Sequence, residues 1–266
     1  MLYITSGLAD VGTNPDVEVE SAIIKQFASE SFDYVTRVCL GILGAKTNIK
    51  GSKYQEYLAE NQALQSWQGS SNIIKCYIGI SGIIYLAEKK GDYLVKCKQF
   101  GLHPYMTLKY AFAKFKHRND FYPNQYKLDN HVHPRLAKSA PLVEWSAHKL
   151  AYCAEHLLFN DGLNVQVKEG NLERLSDIAM ETFAMICVLS RASRSYVVGH
   201  AHAQHEMSLA IPFIFESRQR VEERVKQCAP RGPMEGQRDL FNEDAGAYII
   251  EHGGYIATHP LIKNSF

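Results

Sequence analysis

An all-α fold is what this sequence predicts, on three observations. Apolar residues recur at spacings of three and four along every segment that carries a pattern, the mark of a helix with one buried face. No run of alternating strand residues and no internal repeat interrupts them. Helix start and stop residues bracket the segments, with Asp16 and Glu18 at one start, Ser70 and Ser71 at another, and Gly253-Gly254 at a stop.

Taken in order, Ile24, Phe27, Val35 and Val38 predict a helix over 18–43. A second follows Ser70-Ser71 through Ile73, Ile74, Tyr77, Ile80 and Ile84 to Lys89. Val143, Ala147, Leu150, Ala154, Leu157 and Leu158 make a third stripe, and Leu172, Leu175, Ala179, Phe183, Ile186 and Leu189 a long fourth. A fifth runs from about Gln204 to Gln227, with Pro212 expected to kink it, and a sixth from Leu240 to His252. The stretch 91–130, with Pro104, Asn119-Asp120 and Pro123-Asn124, reads as a break that divides the chain into a bundle over 1–90, a basic aromatic linker over 91–130 and a second bundle over 131–266. Arg231-Gly232-Pro233 to Gly236 reads as a surface loop.

The chain has 266 residues, 46% hydrophobic and 21% charged, which excludes a disordered or collagen-like protein. With 29 Lys+Arg against 28 Asp+Glu the net charge is +1, so the total points to no nucleic-acid partner. Its distribution is uneven. Between Lys89 and Arg118 eight basic residues face the single acid Asp92. There Tyr105, Leu108, Phe112 and Phe115 share one helical face, flanked by Lys109 and Lys116, a pattern that suits an anionic membrane surface or a partner, or else a helix packed on its own bundle. The uncharged run Cys76 to Ala87 is shorter than the ~18–20 residues that span a bilayer, so no transmembrane helix is expected. Nor does Met1 to Gly12 carry a signal-peptide pattern. Six cysteines without C-x-x-C spacing read as reduced thiols, with Cys153 and Cys187 in the core.

Several motifs point further. Glu20-Ser-Ala-Ile-Ile-Lys25 with Ser29-Glu30, then Ile42-Leu43-Gly44 and Trp67-Gln68-Gly69-Ser70-Ser71-Asn72-Ile73, resemble the carboxy-terminal helical domain of the acyl-CoA dehydrogenase family. Val188-Leu-Ser-Arg-Ala-Ser-Arg-Ser195, Ala203-Gln-His-Glu206 and His259-Pro-Leu261 resemble the extra helical domain of its very-long-chain and family-member-9 branch.

That resemblance implies an amino-terminal helical domain and a β-domain ahead of the matched region, FAD as cofactor, and a glutamate that takes the proton alpha to the thioester. The aligned residue is Gln68, a neutral amide. The flavin-contacting turn aligns with Gly41-Ile42-Leu43-Gly44-Ala45-Lys46-Thr47, where Ala45 and Thr47 replace glycines. Gly44, Ala45, Gly69 and Ser70 would be the remnant of the FAD site. An Arg-Asp-x-Arg stretch aligns with Ala59-Glu60-Asn61-Gln62, and both arginines are gone. The reading that follows is a protein that has lost catalysis and serves as a mitochondrial binding or assembly module, since family member 9 acts in respiratory complex I assembly. The alternatives are the carboxy-terminal part of an FAD-dependent long-chain or very-long-chain acyl-CoA dehydrogenase of fatty-acid beta-oxidation, and a peripheral membrane adaptor. The resemblance places the protein in the mitochondrial matrix, associated with the inner membrane, as a homodimer.

Two other clusters invite competing readings. His200, His202, His205 and Glu206 form either a metal cluster or a polar helix entrance, and the second is preferred, so no metal is expected. His131 and His133 read as loop residues for the same reason. Arg191 and Arg194 either bind an anion or tie the second bundle to the first by charge-assisted hydrogen bonds, again with the second preferred.

Overall fold

In a computed structural model, residues 1–11, 15–120, 126–230 and 233–254 are described. Nine α-helices occupy them: α1 Leu2–Val11, α2 Glu18–Leu43, α3 Lys53–Ser66, α4 Ser71–Lys98, α5 Pro104–Arg118, α6 Ala140–Asp161, α7 Glu169–Val198, α8 Ala203–Cys228 and α9 Pro233–His252. Short 3-10 turns join several of them, and the described residues contain no strand.

The start signals work unequally. The Asp16 carboxylate accepts from the Glu18 amide at 3.3 Å, but Ser70 occupies the N-cap position of α4 without a side-chain capping bond. At the other end of the chain, the Gly253 and Gly254 amides donate to the carbonyls of Ile250 and Ile249, with Gly253 at φ 73° closing α9. Helix α8 continues through Pro212. Residues 233–236 belong to α9 rather than to a surface loop, because the proline supplies a fixed φ at the helix start. Arg231-Gly232, Pro123-Asn124 and the His259-Pro-Leu261 motif lie outside the described residues.

Helix α7 is the axis of the packing. It lies against α8, α4, α6 and α2. Ile178 and Met185 on α7, Val143 and Leu157 on α6, and Ile214 and Val221 on α8 are fully or almost fully buried in one continuous cluster. A smaller cluster of Ile23, Ile74, Ile78 and Met180 joins α2 and α4 to it. Where α4 crosses α7, a Cβ on Gly79 would sit 2.7 Å from the Leu172 carbonyl oxygen, so this crossing is close enough to require glycine.

The stretch read as a break is helical for most of its length. Helix α4 runs through Gly91 to Lys98, and α5 folds back on it, with Leu94, Cys97 and Tyr110 buried beside Phe159 of α6. The uneven apolar spacing after Gly91 arises because this part of α4 changes neighbours, from α7 to α5. By length and composition a window within Lys53–Lys98 is also apolar enough to cross a membrane, contrary to the expectation from the Cys76–Ala87 run. In the fold 17% of that window is buried, with Ile78, Gly79 and Ile83 among the buried residues of α4.

Candidate functional site

Gln68 stands in the turn between α3 and α4, exposed, at φ 60°. A β-carbon at that φ is sterically disfavoured, and the turn is held against the strain from α2. The Lys25 ammonium donates to the carbonyls of Gln65 and Gly69, each at 3.2 Å, and burial lowers its pKa. Gly69 has φ 117° and its amide donates to Ser66. The Gln65 and Gly69 carbonyls and the Gly69 amide of this turn are therefore engaged within the chain.

The second candidate segment lies elsewhere. Gly44 caps α2 at φ 59°, its amide donating to the Leu40 carbonyl and its carbonyl accepting from the Thr47 hydroxyl at 2.8 Å. Ala45 continues into a 3-10 turn. Lys25 touches Gly69 at one end of α2 while Gly44 closes the other, nineteen residues along. At 1.5 Å per residue, the two pieces are about 28 Å apart. Gly44 and Ala45 are not brought to Gln68, Gly69 and Ser70, so among the described residues the two segments do not meet at one place.

At the lost arginine stretch, buried Asn61 donates to the Asp33 carboxylate at 2.6 Å and so ties α3 to α2. Arg37, one turn from Asp33 at 2.8 Å, holds that carboxyl below its usual range, with Asn61 helping.

A surface on α5 is the third candidate. Its two faces differ. Tyr110 is buried and Met106 half-buried against α4 and α6, whereas Tyr105, Leu108, Phe112 and Phe115 are 74%, 63%, 60% and 57% exposed. Lys109 is exposed beside them, and the Lys116 ammonium lies 4.9 Å above the Phe112 ring. One face of α5 is packed on its own bundle, and the other presents its apolar side chains to solvent.

The other sequence candidates become structural. Arg191 pairs with Glu206 of α8, at 3.2 and 3.3 Å, which ties α7 to α8 and not the second bundle to the first. The Arg191 guanidinium lowers the Glu206 pKa, with the Ser195 hydroxyl adding to it. Arg194 is exposed and has no ion pair among the described residues. His202 and His205 are exposed at the start of α8, and no group of three ligating side chains among the described residues could hold a metal ion. In the loop before α6, His131 is exposed, while the His133 amide donates to the Ser193 hydroxyl at 3.0 Å. Ser193, inside the motif at 188–195, thus anchors that loop. Cys153 and Cys187 are buried, as are Cys97 and Cys228, whereas Cys39 is exposed and Cys76 half-buried.

One feature had no sequence signal. A ladder of charges crosses the molecule, with Lys75 of α4 between Glu30 of α2 at 2.7 Å and Asp177 of α7 at 2.9 Å, and Arg224 of α8 on the same Asp177 at 2.9 Å. Burial opposes the Lys75 charge, but the two carboxylates outweigh it and raise its pKa. Four residues so far apart in sequence reveal no spacing.

Comparison with known proteins agrees with the motifs. Residues 134–253 match the family model described as ACAD9/ACADV, C-terminal domain. Over 98% of its length the chain is similar to the mitochondrial very long-chain specific acyl-CoA dehydrogenases, at 28% identity to those of Macaca fascicularis and Bos taurus and 27% to that of Homo sapiens. It spans 39% of the length of each. Its fold is similar to that of an acyl-CoA dehydrogenase from Bacillus anthracis solved in complex with FAD, with TM-score 0.63 and 15% identity over 90% of this chain and 41% of that one. The chain is thus similar to the carboxy-terminal helical region of the acyl-CoA dehydrogenases, with residues 134–253 matching the ACAD9/ACADV C-terminal domain.

Proposed function

We propose that this protein is a non-catalytic acyl-CoA dehydrogenase relative that acts as a mitochondrial binding or assembly module. The observation that carries the reading is Gln68. At the place where the family bears its carboxylate base the side chain is an exposed amide, which has no lone pair basic enough to accept a carbon-bound proton. Loss of a general base typically costs roughly 10²–10⁴ in rate. The dispersed Gly44–Ala45 and Gly69–Ser70 segments add to it. The test is an absorbance spectrum of the purified chain, together with dye reduction by palmitoyl-CoA. No flavin absorbance and no reduction is the expected result, and stoichiometric flavin with turnover overturns it.

Docking in this reading uses the exposed face of α5. Four apolar side chains with Lys109 and Lys116 beside them suit an anionic bilayer, where each basic residue near the surface adds about 1 kcal/mol. Co-sedimentation with cardiolipin-containing vesicles, lost in a Phe112→Ser/Phe115→Ser variant, is the expected outcome. Equal and negligible pelleting of both proteins removes the membrane and leaves a protein partner, for which respiratory complex I assembly is the system suggested by the family resemblance. Self-association as a homodimer would use the exposed apolar residues Val35 and Val38 of α2 and Ile84 of α4. Light scattering of the purified chain checks it.

A second reading, that the chain is the carboxy-terminal part of an FAD-dependent very-long-chain dehydrogenase, is favoured by its fold similarity to a dehydrogenase that holds FAD. The flavin spectrum decides between the two.

A further inference from the structure

The geometry points to a second binding site, in the cavity between α4, α5 and α6, for a compact oxyanion, a phosphate or phosphate ester, gripped by Lys114 with Lys90 and His156 beside it. The cavity measures about 300 Å³, at the small end of the range for ligand pockets, so it has room for a phosphorylated small molecule or a headgroup but not for a long acyl chain.

Charge is the first argument. Lys114 is half-buried, and among the described residues it makes no ion pair and no hydrogen bond; its ammonium rests 5.3 Å from the Phe159 ring centre. A half-buried ammonium without a counter-ion is costly. Burial, then the neighbouring Arg118, push its pKa down. The carboxylate on the cavity wall, Glu155, is already paired with Lys90. Asp161, the acid facing His156 from the end of α6, is paired with Lys168 at 2.7 Å. Lys114 thus leaves positive charge in excess on the cavity wall, and the His156 imidazole registers it: burial, then Lys114, hold its pKa at about 4, with Arg118 adding to it. A bound oxyanion would offset the Lys114 charge.

Shape is the second argument. Tyr93 and Tyr110 line the cavity and meet edge-on at 6.5 Å, and Phe159 stacks behind Tyr110 at 4.7 Å, giving the cavity an aromatic wall. Such a wall lowers the local dielectric and strengthens charge-assisted hydrogen bonds to a bound anion. This site is separate from the Gln68 turn and from the exposed face of α5, and it does not depend on either.

The test follows the His156 ring by NMR titration of the full chain in inorganic phosphate, sulfate or chloride at matched ionic strength. Phosphate and sulfate are expected to raise the His156 midpoint by about one pH unit or more, saturably, and chloride to leave it in place. Lys114→Gln should abolish the saturable shift with an unchanged melting temperature, and Lys114→Arg should keep it. An equal shift in chloride, or a saturable shift that survives in Lys114→Gln, overturns the site. Should Lys114→Gln fail to fold, Ala113→Leu, which fills the cavity from α5, must remove the shift in its place. Glycerol phosphate and phosphatidate vesicles, compared on the native chain, then distinguish a soluble phosphate ester from a lipid headgroup.

Discussion

The α6–α8 unit and helices α2 and α4 of the α2–α4 unit are amphipathic alike and bury their apolar faces to very different degrees. In the former, Val143, Leu157, Ile178, Met185, Ile214 and Val221 are closed off from water by one another. In the latter, Val35, Val38, Ile42, Ile73, Ile84 and Tyr85 remain exposed around a small cluster centred on Ile23, Ile74 and Ile78. Buried core and exposed apolar surface therefore fall in different parts of the chain. Burial free energy follows the area removed from water, so the α6–α8 core carries most of it.

The largest effect expected on this contrast is from Ile178→Ala. A fully buried isoleucine at the centre of α7 should cost about 2–5 kcal/mol, measured by urea unfolding. A loss below about 1 kcal/mol would mean that α6–α8 is not the stabilising unit. Gly79→Ala probes the seam between the units. Its Cβ would meet a backbone carbonyl, which cannot rotate away, and a cost of about 1–3 kcal/mol in the same assay is expected.

His156 tests the seam by pH. Its folded pKa is depressed, from 6.5 to about 4, so below pH 6.5 the unfolded chain takes up the proton first. Its contribution is complete above pH 6.5, declines as pH falls from there to about 4, and is flat below. Allowing for partial exposure, the loss is on the order of 1–2 kcal/mol. His156→Gln should flatten the stability profile across that window, and an unchanged profile would show that the imidazole is not confined as described.

Smaller effects belong to the open unit. Gln68→Gly should raise stability by up to about 1 kcal/mol, because glycine adopts φ 60° without strain but loses more entropy on folding. A drop in melting temperature would show that the Gln68 side chain has a contact of its own. Val38→Ser, on the exposed face of α2, should change monomer stability by less than about 0.5 kcal/mol.

The same contrast governs what could be read in the sequence. Helices α2, α6 and α8 carry long stripes whose bounds are legible to within a few residues, whereas the α7 stripe, read to Leu189, stops nine residues short of Val198. Helix α3 could not be found this way. It buries Asn61 rather than an apolar row, so no period marks it. Helix α1 went unrecognised for a related reason, with Thr5 its one buried residue. At the candidate site, Gln68 and the altered glycine turn were legible as residue changes. Their separation along α2 was not, because distance along a helix becomes distance in space only once the chain is known to be straight between them. The Lys75 ladder and the Lys114 cavity were also hidden, being assembled from residues on three or four helices.

Helix α4 begins directly after the Gln68 turn and ends just before α5, and it is held at Gly79 against Leu172. Eight residues lie between that contact and the start of the helix, and nineteen between it and the end, about 12 Å and about 28 Å. The short arm is fastened to α2 and α7 by Ile74, Ile78 and the Lys75 ion pairs, and the long arm to α6 and α5 by Ile83, Leu94 and Cys97. Displacing either arm would therefore break contacts with two neighbouring helices at once.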